Sequence, residues 1–236
     1  MQAIQTWYAG ISRDFYQNLI YADRYKFLLS GLRETLTITL FAAIFGAVLG
    51  CVIALMRLSE ARIGRWRFLN TFASAYVDVI RGTPAVVQLM ILYFIILTYM
   101  REKTMIAIIA FSLNSAAYVS EMVRGGILAV DAGQTEAGRS LGLSKSATMW
   151  LIIMPQAFKI TLPSLFNELI MLLKETAIVG IIGHMDLAKS ADYIRSLTFS
   201  PFFPLISMAL VYYLIVSILT RVFARLERRL RQGDQH

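Results

Sequence analysis

The sequence contains little charge, one cysteine and two histidines. Only 16% of its 236 residues are charged and 57% are hydrophobic, whereas soluble domains are about 25% charged and about 45–50% apolar. This shortage of charge argues against a soluble enzyme. The single Cys51 excludes a disulfide framework, an iron–sulfur cluster and a thiolate zinc site. His184 and His236 leave little for metal binding or general-base catalysis, so we assign neither a role and expect no metal site.

Long apolar stretches make up much of the chain. A bilayer core requires roughly 20 apolar residues per helix, and five stretches meet or approach this length: 36–56, 82–100, 104–120, 160–183 and 202–220. The fourth is interrupted by charged residues and is still counted. A very apolar soluble bundle is the alternative, but little polar surface remains to cover five such helices. The sequence therefore predicts an all-α membrane protein with five transmembrane helices.

The charges outside these stretches predict which side each loop faces. Residues 1–26 lack the short apolar core of a cleavable signal peptide, so we expect an external or interfacial N-terminal segment. With the C-terminus inside, inner segments hold 13 Lys and Arg and outer segments hold 8, as the positive-inside rule favours. We therefore predict an external N-terminus, a transmembrane domain over 27–225 and a cytoplasmic tail over 226–236. Basic residues distributed along membrane edges do not indicate nucleic-acid binding.

The longest inner connection, residues 123–159, is predicted to hold two short helices. Gly133 precedes the first helix and Gly142 closes it, while Ser144 can cap the second. Pro155 is expected to break the chain before the next span. Such a rigid projection is suited to contact with a partner protein, although a packed connector without a partner fits the residues equally well.

This connection resembles the EAA motif of permease subunits of ABC importers. The matching residues are Glu136-Ala137-Gly138, then Gly142, then Ile152-Ile153-Met154-Pro155. Gly138 and Met154 depart from the motif, in which Ala and Leu are expected. Segments 31–40, 75–94, 115–127 and 167–183 are similar to the polar amino-acid branch of these permeases, and the resemblance covers about residues 20–225.

The resemblance implies a type I ABC importer permease fold in a bacterial cytoplasmic (inner) membrane. Residues 131–155 would form a cytoplasmic loop whose coupling helix docks on an ATPase subunit. The expected coupling residues are Gln134, Thr135, Glu136, Ala137, Gly138, Arg139, Ser140, Leu141 and Gly142. The implied partners are two ATP-binding subunits, a second permease (identical or homologous) and an extracytoplasmic amino-acid-binding protein. The chain has no G-x-x-x-x-G-K-[ST] loop, so we expect no cofactor here, with ATP and Mg on the ATPase subunit.

Charges within the predicted spans require a partner or a function. A charged residue at a helix centre costs at least roughly 2.5–3.5 kcal/mol on insertion scales. Asp78 is three residues from Arg81, and Glu121 is three residues from Arg124, so each acid has a candidate partner on its own helix. Glu168 has no cation one turn away.

These residues predict a path for a polar solute. The candidate substrate-binding residues are Asp78, Asn114, Glu121, Glu168, Glu175 and Thr176. Asp78 and Glu168 would bind an ammonium or guanidinium group, and Thr176 is a candidate for the carboxylate. An anionic path favours a cationic amino acid. The rival hypothesis is that Glu168 pairs with a base from another span.

Two other function classes fit the sequence less well. An ATP-independent secondary transporter or channel predicts inverted repeats or more spans, and neither is seen in 236 residues. An intramembrane enzyme would require a nucleophile and a base within the spans. The G-x-S-x-G match at Gly138–Gly142 lies in the predicted inner loop and not in a span, and H-E-x-x-H does not occur. We therefore predict a permease subunit rather than an enzyme.

Overall fold

A computed structural model describes residues 10–58 and 67–232, with side chains up to residue 229. Expectations for residues 1–9, for the first inner loop over 59–66 and for the end of the tail, including His236, lie outside these residues. Every regular element in the described residues is helical. The domain boundaries at 26 and 225 remain predictions, and a single helix continues across the second of them.

The described helices follow one another with short connections. A π turn (Tyr16–Ile20) and a 3-10 turn (Tyr21–Asp23) precede the first long helix. The helices are α1 Tyr25–Leu58, α2 Phe68–Arg81, α3 Ala85–Ile91, α4 Lys103–Leu128, α5 Ala132–Ser140, α6 Lys145–Thr148, α7 Met154–Glu175, α8 Leu187–Thr198 and α9 Phe202–Gln232. A π turn (Leu92–Ile96) extends α3, another (Met149–Ile153) joins α6 to α7, and a 3-10 helix (Thr176–Ile182) follows α7.

Three of these helices, α1, α4 and α9, are long and apolar enough to cross a membrane. Together, α2 and the extended α3 form a fourth candidate, but they are bent by 106° at the break between them. The predicted second span over 82–100 therefore differs from the structure. Pro84 adopts an extended conformation with ψ 138°, so helix resumes only at Ala85. Length and composition thus give three or four spans in the described residues.

Helices α1 and α4 pack closely and run parallel. A Cβ at Gly46 would lie 2.9 Å from the Cβ of Ser115, and a Cβ at Gly50 would lie 2.7 Å from the Cβ of Val119. Glycine therefore allows the two backbones to approach, as is common between membrane helices. This pair forms the centre on which α2, α3, α7 and α8 pack.

Helix α7 runs antiparallel to α4. Gly126 contacts Thr161 near one end, and Ser115 hydrogen-bonds Glu168 further along both helices. By contrast, α9 is largely unburied, since only 6% of its most apolar segment is covered by the rest of the described chain. It packs on α7 where the rings of Phe166 and Phe223 stack with centroids 4.2 Å apart.

Pro155 does not break the chain, which corrects the sequence expectation. The residue occupies the first turn of α7, and the preceding π turn continues the helical path from α6. Proline is tolerated in a first turn because its missing N–H has no helical acceptor there. The predicted cap of the second helix is confirmed, since Ser144 Oγ accepts a hydrogen bond from Ala147 N at 3.1 Å.

Candidate functional site

The predicted coupling helix is α5, and both of its ends are fixed by local hydrogen bonds. Asp131 Oδ1 accepts from Gly133 N at 2.7 Å at the N-terminus. At the C-terminus, Leu143 N donates to Gly138 O at 3.1 Å and Gly142 N donates to Arg139 O at 3.0 Å. Gly142 has φ +82°, the left-handed conformation that ends many helices. The predicted end at Gly142 is confirmed.

Most of the predicted coupling residues are exposed, but Gly138 is buried. A Cβ at Gly138 would lie 2.8 Å from Thr148 Cγ2 and 2.9 Å from Ile152 Cδ1. Glycine at this motif position therefore allows α5 to cross close to α6. One turn earlier in α5, Gln134 Oε1 accepts from Gln156 Nε2 at 3.1 Å. These contacts attach α5 to the start of α7.

An apolar cavity lies beside this loop. Its volume is about 890 Å³, and its lining includes Leu58, Ile127, Met149 and Trp150. Leu141 and Trp150 are 81% and 57% exposed. The loop therefore presents apolar as well as polar surface, as a docking surface for a protein requires.

Glu121 lies at the centre of a cluster of three arginines. It contacts Arg57 of α1, pairs with Arg124 at 2.8 Å and lies 3.7 Å from Arg81 Nη1. The pairing with Arg124 was predicted from spacing, whereas Arg57 lies 64 positions away and was missed. Because two guanidiniums already bond Glu121, this placement favours a structural role over direct substrate binding.

Asp78 does not pair with Arg81. The guanidinium of Arg81 turns towards Glu121 and lies over the ring of Tyr118, with its Cζ 5.6 Å from the centroid. Asp78 is exposed, and no other described residue forms an ion pair with it. The predicted local partner is thus engaged elsewhere.

Asn114 supports the break between α2 and α3. Its Nδ2 donates to Gln88 Oε1 at 2.9 Å, and Gln88 Nε2 donates to Ile80 O at 2.7 Å and Thr83 O at 3.0 Å. Side chains thus satisfy carbonyls that the break removes from a helix, as non-helical backbone within a membrane requires. Sequence reasoning missed Gln88, although an isolated amide four residues after Pro84 is a usable signal.

Helix α7 carries the remaining acidic candidates, Glu168 and Glu175. Ser115 Oγ donates to Glu168 Oε1 at 2.9 Å, and no described base forms an ion pair with Glu168. The rival hypothesis of a basic partner is therefore not realised within the described residues. Glu175 is half-buried. Thr176 is fully buried, and its hydroxyl donates to Leu173 O at 2.7 Å, so it does not line open space.

The described residues contain no group of His, Cys, Asp or Glu side chains suited to a metal.

Residues 46–232 match the family described as binding-protein-dependent transport system inner membrane component. The chain belongs to this family. The permease is 43% identical over 211 residues to the arginine transport system permease protein ArtQ of Bacillus subtilis, covering 88% of this chain and 94% of ArtQ. It is 36% identical over 216 residues to the L-cystine transport system permease protein TcyB of the same species, covering 90% of each chain.

A solved structure agrees with this assignment. The permease is similar to a chain in a crystal structure of an amino acid ABC transporter with histidines, with a TM-score of 0.82 and 40% identity. The match covers 89% of this chain and 97% of that chain. The permease is therefore an amino-acid ABC transport permease and a multi-pass protein of the inner membrane. Hydrolysis of ATP belongs to separate ATPase subunits.

Proposed function

We propose that the permease forms, with a second identical or homologous permease, a path for a cationic amino acid. An extracytoplasmic binding protein delivers the amino acid from outside, and two ATPase subunits bind ATP and Mg at the cytoplasmic face. Asp78 and Glu168 receive its ammonium or guanidinium groups. The coupling residues of α5 transmit the ATPase movement to the membrane helices, so that the path opens alternately to the two sides.

The carboxylate of Glu168 is the observation that carries this proposal. It lies on a helix within the membrane domain, its hydrogen bond comes from a neutral hydroxyl, and no described base pairs with it. A charge in such surroundings is costly and marks a functional position, and it attracts a cation strongly in a low-dielectric site. The name of ArtQ supports a cationic substrate, whereas TcyB is named for cystine. Because these names differ, the charge of Glu168 is the stronger support for a cationic substrate.

Five crossings with an external N-terminus fit the contacts of the described helices. Asn70 at the start of α2 contacts the carbonyl of Arg57 near the end of α1. The ring of Tyr93, beyond α3, lies 5.9 Å from Nζ of Lys103 at the start of α4. The bent pair thus connects opposite ends of the two parallel helices, which supports its crossing the membrane between them.

Reconstitution with the ATPase subunits and the binding protein in liposomes tests the proposal. Uptake of labelled L-arginine, L-lysine and L-histidine should depend on ATP inside. Uptake in liposomes that lack the ATPase would instead support the ATP-independent transporter or channel. ATP-driven uptake restricted to uncharged amino acids would contradict the proposed substrate class.

Replacement of Glu168 by glutamine tests the site itself. Glu168→Gln removes the charge and keeps an acceptor for Ser115, so we expect at least a tenfold loss of arginine uptake with unchanged assembly. Co-purification with the ATPase measures assembly. Glu102→Gln, at an exposed position outside the membrane helices, is the matched control and should transport normally. Normal uptake by Glu168→Gln would remove this residue from the path.

A further inference from the structure

The last turn of α2 carries two opposite charges that do not pair with each other. Asp78 and Arg81 are three positions apart, which places their side chains within reach on one helix face. Arg81 nevertheless lies over the ring of Tyr118, and Asp78 is exposed without an ion-pair partner among the described residues. Both groups are thus available to a third molecule that carries both charges.

Glu121 lies close to Arg81, but its carboxylate already has two other guanidinium partners. Arg57 and Arg124 already bond Glu121 directly, whereas Arg81 Nη1 is 3.7 Å away, beyond hydrogen-bond distance. The side chain of Arg81 is 48% exposed, compared with 13% for Arg57 and 34% for Arg124. One carboxylate among three guanidiniums leaves an excess of two positive charges, which a further carboxylate would reduce.

We propose that Arg81 binds the α-carboxylate of the transported amino acid while Asp78 binds its α-ammonium group. This inference rests on the proposed function and adds that α2 recognises the amino-acid main chain, leaving Glu168 for a cationic side chain. Both main-chain groups are attached to one carbon, so their binding partners must be close, and neighbouring positions one helical turn apart satisfy this. A guanidinium binds a carboxylate with two parallel hydrogen bonds, and the ring of Tyr118 positions it.

Binding to the purified permease–ATPase complex, without the binding protein, tests this assignment. The probes are labelled L-arginine, L-lysine and L-histidine and their decarboxylated counterparts agmatine, cadaverine and histamine. We expect the wild type to bind at least one amino acid more than tenfold tighter than its amine. Arg81→Gln should weaken binding of that amino acid roughly tenfold or more and leave the amine unchanged. Asp78→Asn should weaken both.

Arg124→Gln is the matched control, because it removes another guanidinium from Glu121. An equal effect of Arg81→Gln and Arg124→Gln, or equal loss of amino acid and amine, would assign Arg81 to the cluster alone and overturn the proposal. Failure of the wild type to prefer any amino acid over its amine would also overturn it. Binding in phosphatidylcholine nanodiscs should match that in phosphatidylglycerol nanodiscs. An effect of Arg81→Gln confined to phosphatidylglycerol would instead assign the guanidinium to a lipid headgroup.

ATP-driven uptake by the wild type separates the two proposals. Uptake with ATP together with unaltered amino-acid binding by Arg81→Gln would retain the proposed function and reject the role of Arg81. Absence of ATP-driven uptake of any amino acid would reject the proposed function and, with it, this inference.

Discussion

Two adjacent glycines of α4 have opposite surroundings. A Cβ at Gly125 would meet nothing within 4 Å, whereas a Cβ at Gly126 would collide with Oγ1 of Thr161 and lie 3.1 Å from Ala157 O. Gly126 is therefore a position at which α4 and α7 approach closely, while Gly125 lies on an open surface. Sequence alone does not distinguish between these neighbours.

The same substitution at the two glycines should have opposite effects. Gly126→Ala should destabilise the protein by about 1–3 kcal/mol, because overpacking forces the helices apart. Gly125→Ala should be neutral or stabilising by up to about 1 kcal/mol through helix propensity. Thermal unfolding of each purified variant in the same detergent measures the difference. Equal midpoints for the two variants would contradict the close contact.

Asp186 allows a prediction about pH outside the membrane helices. Its side chain is fully buried, Oδ1 accepts from Lys189 N at 2.8 Å, and Oδ2 has no partner among the described residues. Burial raises the pKa of the Asp186 carboxyl above its ordinary value, although hydrogen bonds from the N–H groups of Lys189 and Ala188 oppose the shift. The folded state therefore binds a proton more readily than the unfolded chain does.

The stability contribution of Asp186 should fall as pH rises. It is fully present below the unfolded pKa and is lost as pH increases through the raised folded pKa. Asp186→Asn is neutral at every pH and can still cap α8. The unfolding midpoint of the variant should rise relative to the wild type between pH 4 and pH 8. A difference independent of pH would contradict the raised pKa.

At the scale of elements, α5 combines a fixed position with an exposed surface. Its caps and the contacts of Gly138 attach it to the following helices. Glu136 is exposed on this helix, and no described residue forms an ion pair with it. The element is thus fixed at its ends and open to a partner along its length.

Reversal of the charge at Glu136 should uncouple transport from ATP hydrolysis. Glu136→Lys places a cation on the exposed face of α5, so we expect loss of ATP-driven uptake while the chain remains in the membrane. Glu136→Gln, which keeps size and polarity, is the control and should retain more uptake. Uptake in reconstituted liposomes and the amount of chain in washed membranes are the measurements. Normal uptake by Glu136→Lys would argue against a coupling contact at this position.

Helix ends, which depend on a few neighbouring residues, were the features that the sequence predicted best. Gly142 and Ser144 mark helix ends because their effects reach only a few residues along the chain, and both predictions were confirmed. The bond between Gln88 and Asn114 and the contact of Arg57 with Glu121 were missed. Such contacts depend on how distant helices are placed, which periodicity does not specify. The continuation of the helix through Pro155 was missed for a different reason, since a π turn has no clear sequence signal.

At the scale of the whole molecule, the proposed arrangement places the loop that contains α5 on the cytoplasmic side of the membrane and the end of α8 on the external side. Ser146 lies in the loop that contains α5, and Ser196 lies near the end of α8; both are exposed. In a Cys51→Ala background, Ser196→Cys should react with an impermeant maleimide added to intact cells. Ser146→Cys should react only after the inner membrane is opened. Labelling of Ser146→Cys in intact cells would reverse the predicted orientation.

The sparse packing of α9 has a consequence for the lipid around the protein. One end of this helix touches the N-terminal segment, where the rings of Phe15 and Phe203 meet, and its inner half touches α7 through Phe223. The other described residues leave most of its apolar length uncovered, and we expect lipid to contact that surface. Because a helix responds to hydrocarbon thickness by tilting, thinner or thicker bilayers would shift α9 against α7. We therefore expect the rate of uptake to depend on the acyl-chain length of the host membrane.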